Sequence, residues 1–125
     1  MCKGKYKFEK RRYPRVKRNI PLKLENNDFD IVTETKNISC TGAYCLIDRY
    51  LPVLTKIKTR ILLPSRIKNK DQHIDCNGVV VRIEKNNNNL ENQYNIAIYF
   101  NEISKKNTLL INRFIKQQTE INTSS

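Results

Sequence analysis

Two short runs in this chain hold side chains that can do chemistry. In Lys10-Arg11-Arg12-Tyr13-Pro14-Arg15, two arginines stand four residues apart, with Lys10 and Arg12 beside the first. In Asn37-Ile38-Ser39-Cys40-Thr41-Gly42, an amide, a hydroxyl and a glycine follow at short spacing. A guanidinium is a planar fork. It grips phosphate oxygens in pairs, matches the O6/N7 edge of guanine, and stacks on purine faces, whereas lysine brings charge without the fork. Asn37 and Ser39, two apart at a strand end, project to one side, and their acceptors suit the N1–H and N2–H₂ donors of guanine. Gly42 permits a positive φ or a close backbone approach. Taken singly, each run is weak. Arg-x-x-x-Arg arises easily where nine of the first eighteen residues are Lys or Arg, and Asn-x-Ser-x-x-Gly also describes an ordinary hairpin turn. The two together, at the right places in a fold, carry more.

The elements that must hold them follow from periodicity. Residues 1–9 alternate lysine with Tyr6 and Phe8 and lack a cap or an apolar face, so a flexible tail is expected. Pro14 bars the helical region to Tyr13, so Arg11 and Arg15 do not sit one helical turn apart. In an extended segment they share a side, roughly 13 Å apart. Ile20, Leu22 and Leu24 alternate as a first strand, and Asn26-Asn27-Asp28 turns the chain. Phe29, Ile31 and Thr33 lead a second strand toward Ile38. Ser39 to Gly42 has the residues of a type I turn, and Ala43 to Ile47 is a short third strand. A fourth strand alternates through Ile57, Thr59, Ile61 and Leu63, and Pro64 to Asp71 is a basic loop. A fifth strand runs from Gln72 to Glu84, with a bulge expected at Gly78 and with Val79, Val81 and Ile83 taking over the apolar set. Tyr94, Ile96, Ile98 and Phe100 form a sixth. Ser104 caps a C-terminal helix to about Gln118 whose apolar face holds Leu110, Ile111, Phe114 and Ile115. The expected fold is mainly β: a six-stranded antiparallel barrel closed by one helix. The expected domain runs over 10–118, with a frayed tail at 119–125.

The totals fit a single domain of 125 residues. No run is long and apolar enough for a membrane span, and the basic N-terminus has no apolar signal core, so a cytoplasmic protein is expected. Four cysteines (2, 40, 45 and 76) form no Cys-x-x-Cys pair, and His73 is the only histidine. Free thiols, no zinc and no other metal are expected. The net charge is +12, and residues 1–18 contribute most of it, with nine cations against Glu9 alone. That points to an anionic partner met by an arm.

Arg11-x-x-x-Arg15 followed by Asn37-x-Ser39-x-x-Gly42 resembles the paired signature of PilZ domains, bacterial receptors for cyclic di-GMP. The resemblance spans about Lys10 to Gln118. It implies a ligand site built from Lys10, Arg11, Arg15, Asn37, Ser39 and Gly42. Arg12 and Arg82 are further candidate contacts, and Lys10 holds the position that bears on whether one ligand or an intercalated pair binds. It also implies a barrel, no cofactor beyond the ligand, and output through a downstream protein. The stretch Tyr94 to Phe100 resembles the family's late strand, which often carries Gly where this chain has Ala97.

An enzyme is disfavoured. The chain has one histidine, no nucleophile beside a base and no phosphate-cradling glycine loop. Two other readings compete with the receptor. One is a basic barrel binding single-stranded nucleic acid through its arm, disfavoured because the strands show no exposed aromatic stripe. The other is a PilZ-like protein adaptor that has lost its nucleotide, disfavoured because both arginines, Asn37, Ser39 and Gly42 are present.

Overall fold

The structure, a computed structural model, describes residues 15–64, 72–86 and 93–123. The tail, Lys10 to Pro14, and most of the loops after Pro64 and Asn86 lie outside the described residues. Six antiparallel strands form a closed barrel: β1 (Pro21–Asn26), β2 (Phe29–Ser39), β3 (Gly42–Ile47), β4 (Lys56–Leu63), β5 (Gln72–Lys85) and β6 (Tyr94–Glu102). The order around the barrel is β1-β2-β3-β6-β5-β4. One helix, α1 (Lys105–Thr123), follows. The expected mainly-β barrel with a closing helix is the observed fold. Nothing in 119–123 is a Gly or Pro, and the helix continues past the expected end near Gln118.

Alternation places one set of side chains inside. Leu22 and Leu24, Ile31, Ile57 and Ile61, Ile74, Val80, and Ile96, Ile98 and Phe100 are buried and share one core. Ile111, Phe114 and Ile115 bring α1 onto that core. Ser104 caps the helix as expected: its Oγ accepts from the Asn107 N–H at 3.0 Å. Asn107 then donates its side-chain amide to the Asp75 carbonyl at 3.0 Å, tying the first turn to β5.

The strands contain irregularities that matter later. Pairing shifts between Thr35 and Asn37, so Lys36 is an extra residue on β2. Pairing also shifts between Val80 and Arg82, making Val81 an extra residue on β5. A third shift falls opposite Gly78, where β6 carries the additional residue. The register shift expected at Gly78 is there, but the change of parity is not. Gly78 keeps the inward position, where a Cβ would lie 2.7 Å from Ile98 Cγ2. Val80 is fully buried and Val81 is 48% exposed, so the apolar set passes to Ile83 only after Val81.

Two buried threonines make a matched test. Thr35 Oγ1 accepts from the Ile20 N–H at 3.1 Å and donates to the Arg18 carbonyl at 2.7 Å. Thr59 Oγ1 is buried without a partner. Valine replaces threonine at nearly equal volume. Thr35→Val is expected to cost about 1–3 kcal/mol by orphaning a buried N–H, while Thr59→Val is neutral or stabilises by up to about 1 kcal/mol. Urea unfolding of the two variants checks the opposite signs.

The described cysteines are all buried. Cys45 and Cys76 are free and buried. Burial pushes both thiols up to about 12. Neither is expected to react with a disulfide reagent at pH 8 until the protein unfolds, because the thiolate is the attacking species. Counting the sulfurs released by the reagent with and without denaturant checks this.

Candidate ligand-binding site

The segment leading into β1 is already laid against the barrel. Val16 and Ile38 exchange both backbone hydrogen bonds, at 3.1 and 3.2 Å, and the Thr35 N–H donates to the Ile20 carbonyl at 2.9 Å. Residues 15–20 thus extend the line of β1 along the upper edge of β2. The Arg18 guanidinium lies 5.5 Å from the centre of the Phe114 ring, which ties the same segment to α1. Ordering a backbone residue costs about 1–2 kcal/mol, so a site that uses this segment finds it largely pre-set.

Arg15 comes next along the chain. Its Nη1 donates to Asn37 Oδ1 at 2.6 Å, joining the two sequence runs. Around them opens a cleft of about 320 Å³ lined by Arg15, Asn37, Thr41, Gly42, Tyr44, Val81, Ala97 and Tyr99, with Ala43 and Ile98 below. Pairing explains this grouping. Asn37 faces Tyr44, Tyr44 faces Ala97, and Ala97 faces Arg82. That makes one row across four strands, about 14 Å from end to end. The bulge residue Lys36 turns Asn37 outward at one end, and Val81 does the same for Arg82 at the other, which is a common use of bulges. Arg82 therefore stands in line with the cleft, beyond its wall.

The candidate residues fare differently. Arg15, Asn37 and Gly42 meet at the cleft. Ser39 does not line it. Ser39 is buried, its Oγ accepts from the Thr41 N–H at 3.2 Å and lies 3.0 Å from Thr41 Oγ1, and so it braces the turn. Thr41, half-buried, lines the cleft instead. Gly42 has no positive φ. It answers to close approach, because a Cβ there would sit 2.2 Å from the Ile98 carbonyl oxygen. Lys10, Arg11 and Arg12 lie outside the described residues.

Sequence reading missed Thr41, Tyr44, Val81, Ala97 and Tyr99. They come together through strand pairing, which has no local signal. Tyr44 is held on both sides. Its hydroxyl donates to Glu84 Oε1 at 3.3 Å, and Lys36 Nζ lies 5.9 Å from its ring centre. Lys36 Nζ is in turn fixed by Asn95 Oδ1 at 2.8 Å. Burial, with Glu84 adding to it, raises the Tyr44 hydroxyl above its ordinary value, so it stays protonated.

Three larger clefts open elsewhere, of about 460, 440 and 340 Å³, and the first two share Glu25, Lys58, Asn77 and Glu102. In the first, the carboxylates Glu25, Asp75 and Glu102 outnumber the cations Lys58 and Arg60. Arg60 is committed to Asp75 through bonds of 2.8 and 3.3 Å, which hold the Asp75 carboxyl below its usual range. In the third, Asp30 and Asp48 outnumber Arg49, so neither it nor the first suits a dianion, and in the second Glu25 and Glu102 offset Lys56 and Lys58.

A family model, the PilZ domain, matches residues 9–117. The chain belongs to the PilZ family. PilZ domains are generally non-catalytic, of a cyclic di-GMP-binding type. Among solved structures, the chain is similar to the Bacillus subtilis inhibitor of motility MotI/DgrA, with a TM-score of 0.78 and 17% identity over 90% of this chain and 52% of that one. It therefore spans about half the length of that protein. It is also similar to the PilZ domain of YcgR from Escherichia coli, a structure with c-di-GMP, with a TM-score of 0.64 and 12% identity over 94% of this chain and 99% of that one. At these identities the likeness speaks to the fold. A search of curated proteins gives no match. In this PilZ domain, Ala97 belongs to the cleft itself and pairs with both Tyr44 and Arg82. No helix among the described residues is long and apolar enough to cross a membrane.

Proposed function

We propose that this PilZ domain is a non-enzymatic receptor for cyclic di-GMP. It clamps the ligand between the arginine arm and the Asn37–Gly42 turn and signals through a downstream protein. The hydrogen bond from Arg15 to Asn37 carries the reading, because it sets an arginine fork and an amide side by side at the rim of one cleft. In this reading Arg15 grips a phosphodiester or guanine edge, and Arg11, four residues before it in the sequence, takes the same role. Lys10 and Arg12 add charge. Asn37 keeps a second lone pair on Oδ1 and both amide protons for the base. Ser39 acts through the turn it braces. The arm's charge speeds encounter with an anion, an effect that salt screens.

The test is calorimetric titration of the full chain with cyclic di-GMP, with GTP and a short single-stranded oligonucleotide as controls, at two salt concentrations. Saturable binding of the cyclic dinucleotide alone is expected, with modest salt dependence. Binding of the oligonucleotide that falls by orders of magnitude with salt would make the arm a nucleic-acid element instead. Binding of neither would move the protein to the adaptor class.

A further inference from the structure

The motif residues grip edges and phosphates, but a purine also has two apolar faces that must be covered. Seven large hydrophobic side chains are exposed among the described residues, and two of them, Val81 at 48% and Tyr99 at 50%, line the cleft that holds Arg15 and Asn37. Register sets the floor out as a checkerboard. Tyr44 faces Ala97 across β3 and β6, and Gly42 faces Tyr99 two residues along. Two large rings thus occupy one diagonal and two of the smallest residues the other. Diagonal neighbours on such a ladder stand about 7–8 Å apart, so Gly42 and Ala97 leave a trough between the tyrosines wide enough for one flat ring.

The two tyrosines are not equivalent. Tyr44 has a cation over its ring and its hydroxyl engaged. Tyr99 has no such ring or hydroxyl contact among the described residues. The bulge pushes Val81 out along the neighbouring strand, next to the row in which Val79 faces Tyr99. Val81 and Tyr99 together make an apolar wall on the side of the cleft away from Arg15.

We propose that Tyr99 is the base platform of this site: one guanine stacks on its exposed face with Val81 beside it, and the missing side chain of Gly42 and the small one of Ala97 set the depth available to the ring. This rests on the reading of the site as a cyclic di-GMP receptor. Stacking is indifferent to the base edge, because every base has a π-face. Tyr99 therefore sets affinity for purines in general, while Arg15 and Asn37 select guanine.

The experiment titrates the full chain with cyclic di-GMP and with cyclic di-AMP. It compares wild type, Tyr99→Ala, Tyr99→Phe, Ala97→Leu and Arg15→Ala, each first shown to be folded by its thermal melt. Tyr99→Ala is expected to weaken cyclic di-GMP binding about 5- to 150-fold, the loss of one base–aromatic stack. Any measurable affinity for cyclic di-AMP should fall by the same factor. Tyr99→Phe keeps the ring and stays within about twofold. Ala97→Leu fills the trough and binds weakly. Ring-proton resonances of Tyr99, assigned as those missing from the Tyr99→Phe spectrum, should move upfield on saturation. Wild-type affinity in Tyr99→Ala, with binding lost in Arg15→Ala, overturns the platform and leaves the receptor standing. If wild type binds neither dinucleotide, the receptor reading falls and the platform falls with it. If Tyr99→Ala does not fold, the ring shift decides, and unmoved resonances overturn the proposal.

Discussion

Arg15→Ala is expected to weaken cyclic di-GMP binding at least a hundredfold and leave the melting temperature within about 2 °C of wild type. The side chain is exposed, so the fold loses little. The site loses a fork. A hydrogen bond to a charged group is worth about 1.5–3 kcal/mol net, and two of them correspond to about 10²–10⁴ in affinity. Asn37 also loses the donor that orients it in the ligand-free state. Arg15→Lys is expected to recover only part of the affinity, because a point charge cannot make the paired contact. Calorimetry on the three proteins decides. Equal affinity in wild type and Arg15→Ala would remove Arg15 from the site.

Gly42→Ala is expected to fail in the opposite way, through the fold. Gly42 reads as a ligand-motif residue, yet the space beside it is taken by backbone. The added Cβ would meet the Ile98 carbonyl oxygen at 2.2 Å and its carbon at 3.3 Å. Side chains can turn away from such a clash, but a paired strand cannot. Relief would require β3 and β6 to part where Gly42 faces Tyr99 and Ala43 faces Ile98. Overpacking of this kind costs about 3 kcal/mol, which lowers the melting temperature by roughly 10 °C in a domain of this size. Whatever protein stays folded should bind weakly, because Tyr99 shifts with β6. A melting temperature equal to wild type would show that Gly42 is needed for the ligand alone.

The barrel was largely legible because its strands are half-buried, and alternation survives where one face is wet. Tyr94 to Phe100 and Ile57 to Leu63 were unambiguous for that reason. The cap at Ser104 was equally local. The bulges were only half legible. In β2, Ile31, Thr33 and Thr35 are odd-numbered and Ile38 is even, so an extra residue between them was implied by the numbering alone. In β5, the step from Cys76 through Gly78 and Val80 to Ile83 carried the same information. Gly78 was misread because an inward glycine looks like a gap in the apolar set. Of the site, the motif arginine and amide were visible because their chemistry is distinctive and their spacing regular. Tyr44, Val81, Ala97 and Tyr99 were not, because what unites them is register between strands far apart in sequence. Ser39 and Gly42 were assigned to the ligand by type, and only packing shows that one braces a turn and the other admits a strand.

The extra residue in β5 has a consequence for how such a site can diversify. Val80 faces inward, Val81 and Arg82 face outward, and Ile83 returns to the core side. Removing Val81 would leave Val80, Arg82 and Ile83 in plain alternation, with every core neighbour keeping its orientation. The barrel is thus indifferent to a one-residue length change at this point, while the cleft is not. Insertion and deletion here, rather than substitution in the motif, offer a lineage a way to reshape the cleft wall without disturbing the interior.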